Sequence, residues 1–269
     1  GYTTIQMVAL SHQYLHPYGM RNRYGETTFL NNNYYKINPR YFDYLDFIVK
    51  TANDSGLVIV LCPLWAPQSE VDRELDRNDL YLTKEETLNL AKYISSRYSG
   101  FNLVYIIGGD HSYNTIERKK FWTDYANLIK RCSGYQQLCT CHPNGWSASF
   151  EFFDNYTTWL DFHMYQSSHI LGGDYTWFAA KMGYTKEPPK PVLNGEPLYE
   201  DIINNWWDAI DTTVFQVYRM KPIDVRQASY ESILSGALVG ITYGANGVWQ
   251  WHTEELPGSH MPRFTAFES

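Results

Sequence analysis

Asp110 and Glu196 each close a short apolar run, FNLVYIIGGD and PKPVLNGE. Runs of that length ending in glycine read as buried strands whose last residue projects into a site. Two acids at the ends of different strands are what cleavage of a glycosidic bond requires. One gives a proton to the leaving oxygen, and the other attacks the anomeric carbon or activates water. Glu200 is the main rival to Glu196. Glu151 and Asp161 are the other acids nearby, with Asp161 falling mid-strand in a structural position. Each chosen acid also has a plainer reading: Asp110 as an N-cap for a helix beginning near Thr115, and Glu196 as a loop carboxylate paired with an arginine.

The elements that must hold these acids alternate along the chain. Strand candidates fall at 3–10, 57–62, 102–108, 137–142, 159–166, 191–195 and 240–250. Helical patterns lie between them. One opens on Asn38 and Pro39, a cap and a first-turn proline, and closes on Gly56. A second opens on Thr83 with Glu86 three residues later, a capping box, and ends at Gly100. A third begins near Thr115 and ends at Gly134; a fourth starts at Asp224 and leads into the last strand. The longest irregular stretches are 11–36, 143–158 and 167–190. Such alternation predicts an α/β fold with a parallel sheet covered by helices. Seven strands in 269 residues fit a (β/α)8 TIM barrel, a single catalytic domain over residues 1–269 that is one strand short; the first β-α unit is expected to lie outside this chain, or its strand to be supplied in an unexpected way. A doubly wound open sheet is the runner-up.

In a barrel every strand's C-terminal end points to one face. The residues expected there are Ser11, His12 and Gln13; Trp65; Asp110 and His111; His142 and Asn144; Tyr165, Gln166 and His169; Asn194 and Glu196; and Trp249, Gln250 and Trp251. Trp65, Trp249 and Trp251 are candidate platforms on which a sugar stacks. His142, Gln166, His169 and Asn194 are candidate hydroxyl partners, and His111 and Tyr243 complete the expected binding set. His142 also reads as a hydrogen-bonded core histidine, and Trp249 and Trp251 as packing at a strand end.

Composition narrows the partners. The chain holds 23 Tyr, 9 Trp and 13 Phe, flat faces with polar edges that suit carbohydrate. A net charge of −7 argues against nucleic acid, which needs a basic face. The chain contains no run of about 18 apolar residues, so no membrane span is expected. The opening GYTTIQMVAL shows no basic n-region and no cleavage site, so a signal peptide, if the gene encodes one, is expected to have been removed. GGD at 108–110 lacks the spacing of a phosphate loop, so no nucleotide cofactor is expected. Cys62, Cys132, Cys139 and Cys141 lack metal-type spacing and read as buried thiols; a Cys132–Cys139 bridge also fits.

Several motifs in order carry a resemblance: GGDH at 108–111, HPNGWSAS at 142–149, WLDFHMYQSSH at 159–169, NGEPLYE at 194–200 and DVRQASYESILSGALVGITYGANGVWQW at 224–251. Together they resemble the apiosidase-like glycoside hydrolases (glycoside hydrolase family 140, the DUF4038 domain) over roughly residues 2–252. The resemblance implies a (β/α)8 barrel, Asp110 as acid/base after the fourth family strand and Glu196 as nucleophile after the seventh. It also implies a retaining mechanism without cofactor or metal, on apiose-bearing pectin side chains, in a secreted or periplasmic setting. It accounts for the missing first β-α unit, and family members usually carry a C-terminal β domain as well. Two rival readings remain at this stage. One is a metal-dependent amidohydrolase barrel with His142 and His163 as ligands; the other is a non-catalytic carbohydrate-binding barrel.

Overall fold

Four of the apolar runs form parallel strands: β1 (Thr4–Val8), β2 (Val58–Cys62), β3 (Leu103–His111) and β4 (Leu138–Pro143). The computed structural model describes residues 1–10, 21–31, 33–72, 82–204, 218–249, 251–255 and 263–268. Ser11, His12, Gln13, Gln250 and part of the 11–36 stretch lie outside the described residues. The chain divides into two units, residues 1–143 with 157–161, and residues 144–156 with 162–269.

In the first unit the sheet order is β1-β2-β3-β4, all neighbours parallel. Three helices make the crossovers: α1 (Pro39–Asp54), α2 (Lys84–Arg97) and α3 (Ile116–Cys132). Sequential order without reversal is what a (β/α) barrel uses; a doubly wound sheet reverses at a switch point. The helix starts follow the sequence signals. The Asn38 side chain accepts from the Arg40 amide, and Thr83 and Glu86 cap each other. Thr115, not Asp110, is the N-cap of α3, its side chain accepting from the Arg118 amide. The N-cap reading of Asp110 therefore falls away. Ile59, Leu61, Tyr105 and Ile107 of the strands are fully buried, as are Ile94, Trp122 and Tyr125 of the helices. Each such side chain contributes roughly 1.5–3 kcal/mol on burial. Asp161 precedes the next strand rather than sitting within one. Its carboxylate accepts from Lys130 Nζ and the Cys139 amide, a structural role.

The second unit holds β5 (Ser147–Ala148), α4 (Ser149–Phe152), β6 (His163–Gln166), α5 (Tyr175–Tyr184), β7 (Val192–Glu196), β8 (Tyr199–Glu200), α6 (Pro222–Leu234), β9 (Gly244–Ala245) and α7 (Asn246–Trp249). β6 and β7 run parallel, as do β8 and β9. Five expectations differ from what is found, the first being that 143–158 is irregular, since β5 and α4 lie within it. The 159–166 run is strand only from His163. The 240–250 run pairs only at Gly244 and Ala245 and then turns helical. Its three glycines weaken an extended ladder. Helix α6 starts at Pro222 rather than Asp224, because proline suits the first turn and Asp224 caps the Lys221 amide from inside. The 167–190 stretch is not wholly irregular: α5 lies within it, its buried residues Thr176, Ala179, Ala180 and Gly183 all being small.

All four cysteines are unbridged, and Cys62, Cys139 and Cys141 are buried. No helix among the described residues is long and apolar enough to cross a membrane.

Candidate active site

In the first unit the chemistry gathers at the ends of β3 and β4. The ladder between them runs in register to Gly108↔His142, then skips to His111↔Pro143. Gly109 and Asp110 form the bulge. Three residues in succession take positive φ: Gly108 at 82°, Gly109 at 99° and Asp110 at 46°. Only glycine fits the first two. A Cβ on Gly108 would sit 2.0 Å from the Tyr113 hydroxyl oxygen, and one on Gly109 would sit 2.3 Å from the Trp65 ring. Aspartate tolerates the third, since its short polar side chain is compatible with left-handed backbone. The bulge thus turns Asp110 out of the ladder to an exposed position.

Trp65 lies beneath this bulge and packs against His142, ring centroids 5.3 Å apart. His142 is fully buried. Its Nδ1 lies 2.9 Å from the Pro143 carbonyl oxygen and 3.3 Å from the Asp110 amide nitrogen. One tautomer makes the first contact and the other the second, and the shorter distance favours Nδ1–H donating to Pro143. His111 is buried, with Nε2 2.8 Å from Asp72 Oδ1 and its ring edge-on to Tyr113. It faces inward, away from the exposed acid beside it.

In the second unit the ends of β6 and β7 repeat the device. Tyr165↔Asn194 is in register, the ladder skips Gly195, and Gln166 pairs with Glu196. A Cβ on Gly195 would lie 2.0 Å from Met164 Cε. Glu196 is buried, and its Oε1 lies 3.2 Å from His169 Nε2. The His169 ring rests on Tyr199, centroids 4.3 Å apart. The partner of Glu196 described here is thus a histidine rather than the arginine of the plainer reading. Asn194 is buried, its Nδ2 donating to the Ser167 and Ser232 hydroxyl oxygens. Those two bonds fix the amide. Asn194 Oδ1, Gln166 Oε1 and His169 Nδ1 are buried with no hydrogen-bond partner among the described residues. Unsatisfied groups of this kind cost stability unless a ligand or water meets them.

The remaining candidates sit near β8 and β9. The Tyr243 hydroxyl donates to Glu200 Oε2 at 3.1 Å. That bond engages the rival acid. Trp249 ends α7 and donates its Nε1–H to Asn246 Oδ1. Trp251 is half exposed and packs edge-on to Phe267. Tyr199, Ser167, Ser232 and Asp72 were not among the residues singled out in the sequence. Tyr199, Ser167 and Ser232 lie within the motifs NGEPLYE, WLDFHMYQSSH and DVRQASYESILSGALVGITYGANGVWQW; Asp72 lies in none.

His163 is not placed to hold a metal. Its Nδ1 lies 2.9 Å from Ser149 Oγ and its Nε2 3.0 Å from Asn155 Oδ1, so both ring nitrogens are occupied. Burial, and then the Lys190 and Lys186 charges, push its pKa down to about 4. The amidohydrolase reading loses its second ligand.

Comparison with known proteins adds the following. The apiosidase-like, catalytic domain family matches residues 1–265. No curated protein sequence matches the chain. A solved glycoside hydrolase is 26% identical with a TM-score of 0.80, the match covering 99% of this chain and 59% of that one. A glycoside hydrolase family 5 structure from Bacteroides vulgatus ATCC 8482 is 26% identical with a TM-score of 0.82, covering 100% and 57%. A GH5_18 from Bifidobacterium longum subsp. infantis shares the fold alone, at 10% identity and a TM-score of 0.54 over 90% and 64% of the two chains. The chain therefore spans less than two thirds of the length of these structures.

Proposed function

Because the chain belongs to the apiosidase-like catalytic-domain family, we propose that it is a glycoside hydrolase acting by a retaining double displacement. Glu196 attacks the anomeric carbon and forms a glycosyl-enzyme. Asp110 protonates the leaving oxygen and then takes a proton from the incoming water. The observation that carries this reading is the shared backbone device. Each acid stands at a glycine-containing bulge where a parallel strand ends: Asp110 lies within its bulge, out of the ladder, and Glu196 follows the skipped Gly195 and pairs with Gln166.

In this reading His169 and Tyr199 hold Glu196 in place, and Asn194, Gln166 and His142 meet sugar hydroxyls. Trp65, Trp249 and Trp251 offer faces for stacking, with Tyr243 nearby. Residues 1–269 act as one catalytic domain. The substrate is a plant cell-wall polysaccharide or oligosaccharide of the pectin type, with apiose as the sugar released. The setting is secreted or periplasmic, where such polymers are met. Nucleic acid and membrane play no part, and neither cofactor nor metal takes part in the chemistry.

Glu196→Gln and Asp110→Asn should each lower turnover about 10²–10⁴-fold or more while sugar binding persists. Near-normal turnover in either variant removes that residue from the mechanism. A product screen on pectic polysaccharides, with NMR of the anomeric configuration of the first-formed sugar, tests substrate and stereochemistry together. Retention requires the two carboxyl groups about 5–5.5 Å apart in a crystal structure; about 6.5–9.5 Å, with an inverted product, would refute the double displacement.

A further inference from the structure

Behind the Asp110 bulge the first unit buries a carboxylate that the proposed mechanism does not use. Asp72 ends a short 3-10 turn, Glu70–Asp72, with its side chain wholly inside. Three side chains converge on it. Trp122 Nε1 donates to Oδ2 at 2.7 Å. Arg118 Nε lies 3.0 Å from Oδ1. His111 Nε2 lies 2.8 Å from the same oxygen, a close contact without hydrogen-bond geometry. A buried ion pair is expensive to desolvate, and apolar side chains of similar volume fill such a space at least as well.

The three partners are distinguished by where they stand. His111 is the residue at which β3 rejoins β4 after the bulge, opposite Pro143. Arg118, in the first turn of α3, reaches back to the Ser112 carbonyl oxygen at 3.5 Å and to Asn114 Oδ1 at 3.4 Å. Trp122 continues the same helix and lies against His111 and Tyr113. Tyr113 in turn occupies the space that a side chain on Gly108 would need. One carboxylate therefore contacts the residue after Asp110 directly, reaches the following loop through Arg118, and reaches the Tyr113 ring under Gly108 through Trp122. Asp110 lies in the bulge between the Gly108↔His142 and His111↔Pro143 pairs.

We infer that Asp72 is a positioning residue for the Asp110 carboxyl, acting through His111 and Arg118. The inference rests on the reading of Asp110 as acid/base. Its test compares kcat/KM for two glycosides of the sugar that the wild type releases, one with a methanol and one with a 2,4-dinitrophenol leaving group. Departure of methanol needs protonation by the enzyme; departure of dinitrophenolate does not. The ratio of the two values cancels any loss of folded protein. Asp72→Asn keeps the side-chain volume and weakens the charge contacts. It should depress the methyl-to-dinitrophenyl ratio about tenfold or more, and Asp110→Asn should depress it further. An Asp72→Asn ratio equal to wild type overturns the inference. An Asp110→Asn ratio equal to wild type overturns the underlying acid/base reading instead. If Asp72→Asn does not fold, His111→Gln decides: it removes one link while leaving Asp72, Arg118 and Trp122 together, and an unchanged ratio there is equally fatal.

Discussion

The His163 ring is held neutral by its surroundings, and that neutrality has a measurable cost in acid. Ser149 Oγ and Asn155 Oδ1 engage its two nitrogens, and Asn155 Nδ2 and the Met164 amide complete the chain of bonds around them. Burial lowers its pKa from 6.5 to about 4. The folded value lies below the unfolded one, so the unfolded chain takes up a proton that the folded one refuses. The contribution to stability is intact above pH 6.5, falls as pH drops below that value, and is fully lost below about 4. The gap corresponds to about 3 kcal/mol in total, of which about 2 kcal/mol is gone by pH 5. Urea unfolding of wild type and His163→Gln at about pH 7.5 and about pH 5 isolates this group, because other titrating residues are common to both. Wild type should lose about 2 kcal/mol more than the variant between the two conditions. Equal losses, or an NMR titration midpoint near 6.5 for the His163 ring, would refute the argument.

Gly109→Ala places a Cβ 2.3 Å from Trp65 at a φ of 99°. A left-handed penalty of about 1–2 kcal/mol and an overpacking cost of about 1–3 kcal/mol add there. Thermal denaturation should show a marked loss and turnover should fall with it; an unchanged midpoint would mean that the bulge has another geometry. Burial pushes the Cys62 thiol up to about 12, and Cys139 and Cys141 are raised by burial as well. A thiol reagent on the native protein should therefore label Cys132 alone at a measurable rate, and all four once urea unfolds the chain. Fast native labelling of more than one thiol would contradict the packing of β2 and β4.

Much of the scaffold could be read in advance because its signals are local. Asn38, Thr83 and Thr115 cap their helices through bonds to residues two or three positions away. The apolar runs of β2, β3 and β4 are dense because parallel strands are covered on both faces. Helix α5 escaped for a physical reason. Its inward face, Thr176, Ala179, Ala180 and Gly183, has helical spacing, but its members are small, while Trp177, Phe178 and Met182 are partly or largely exposed. A Cβ on Gly183 would meet Val192 at 2.9 Å and Phe150 at 3.0 Å. Close approach to β7, rather than apolar bulk, selects these residues, and a search for large side chains sees the pattern reversed. The position of Asp110 and Glu196 at strand ends was legible from the glycines preceding them, although the bulges those glycines serve were not. Asp72 lies outside every quoted motif, and the contacts of Asp72 with His111 and of Ser232 with Asn194 span 39 and 38 positions, beyond the reach of a local pattern.

The left-handed turn at Asp110 also restricts how a bound sugar can be trapped. At a φ of 46°, asparagine is the replacement that preserves both outline and backbone, because it shares aspartate's tolerance for that region. Alanine or glutamate would force the chain to relax, and a complex captured with either would record a reshaped bulge. Soaks and affinity measurements intended to picture the intact enzyme with its ligand therefore call for the amide, and disagreement between amide and alanine versions would report backbone movement rather than a lost proton.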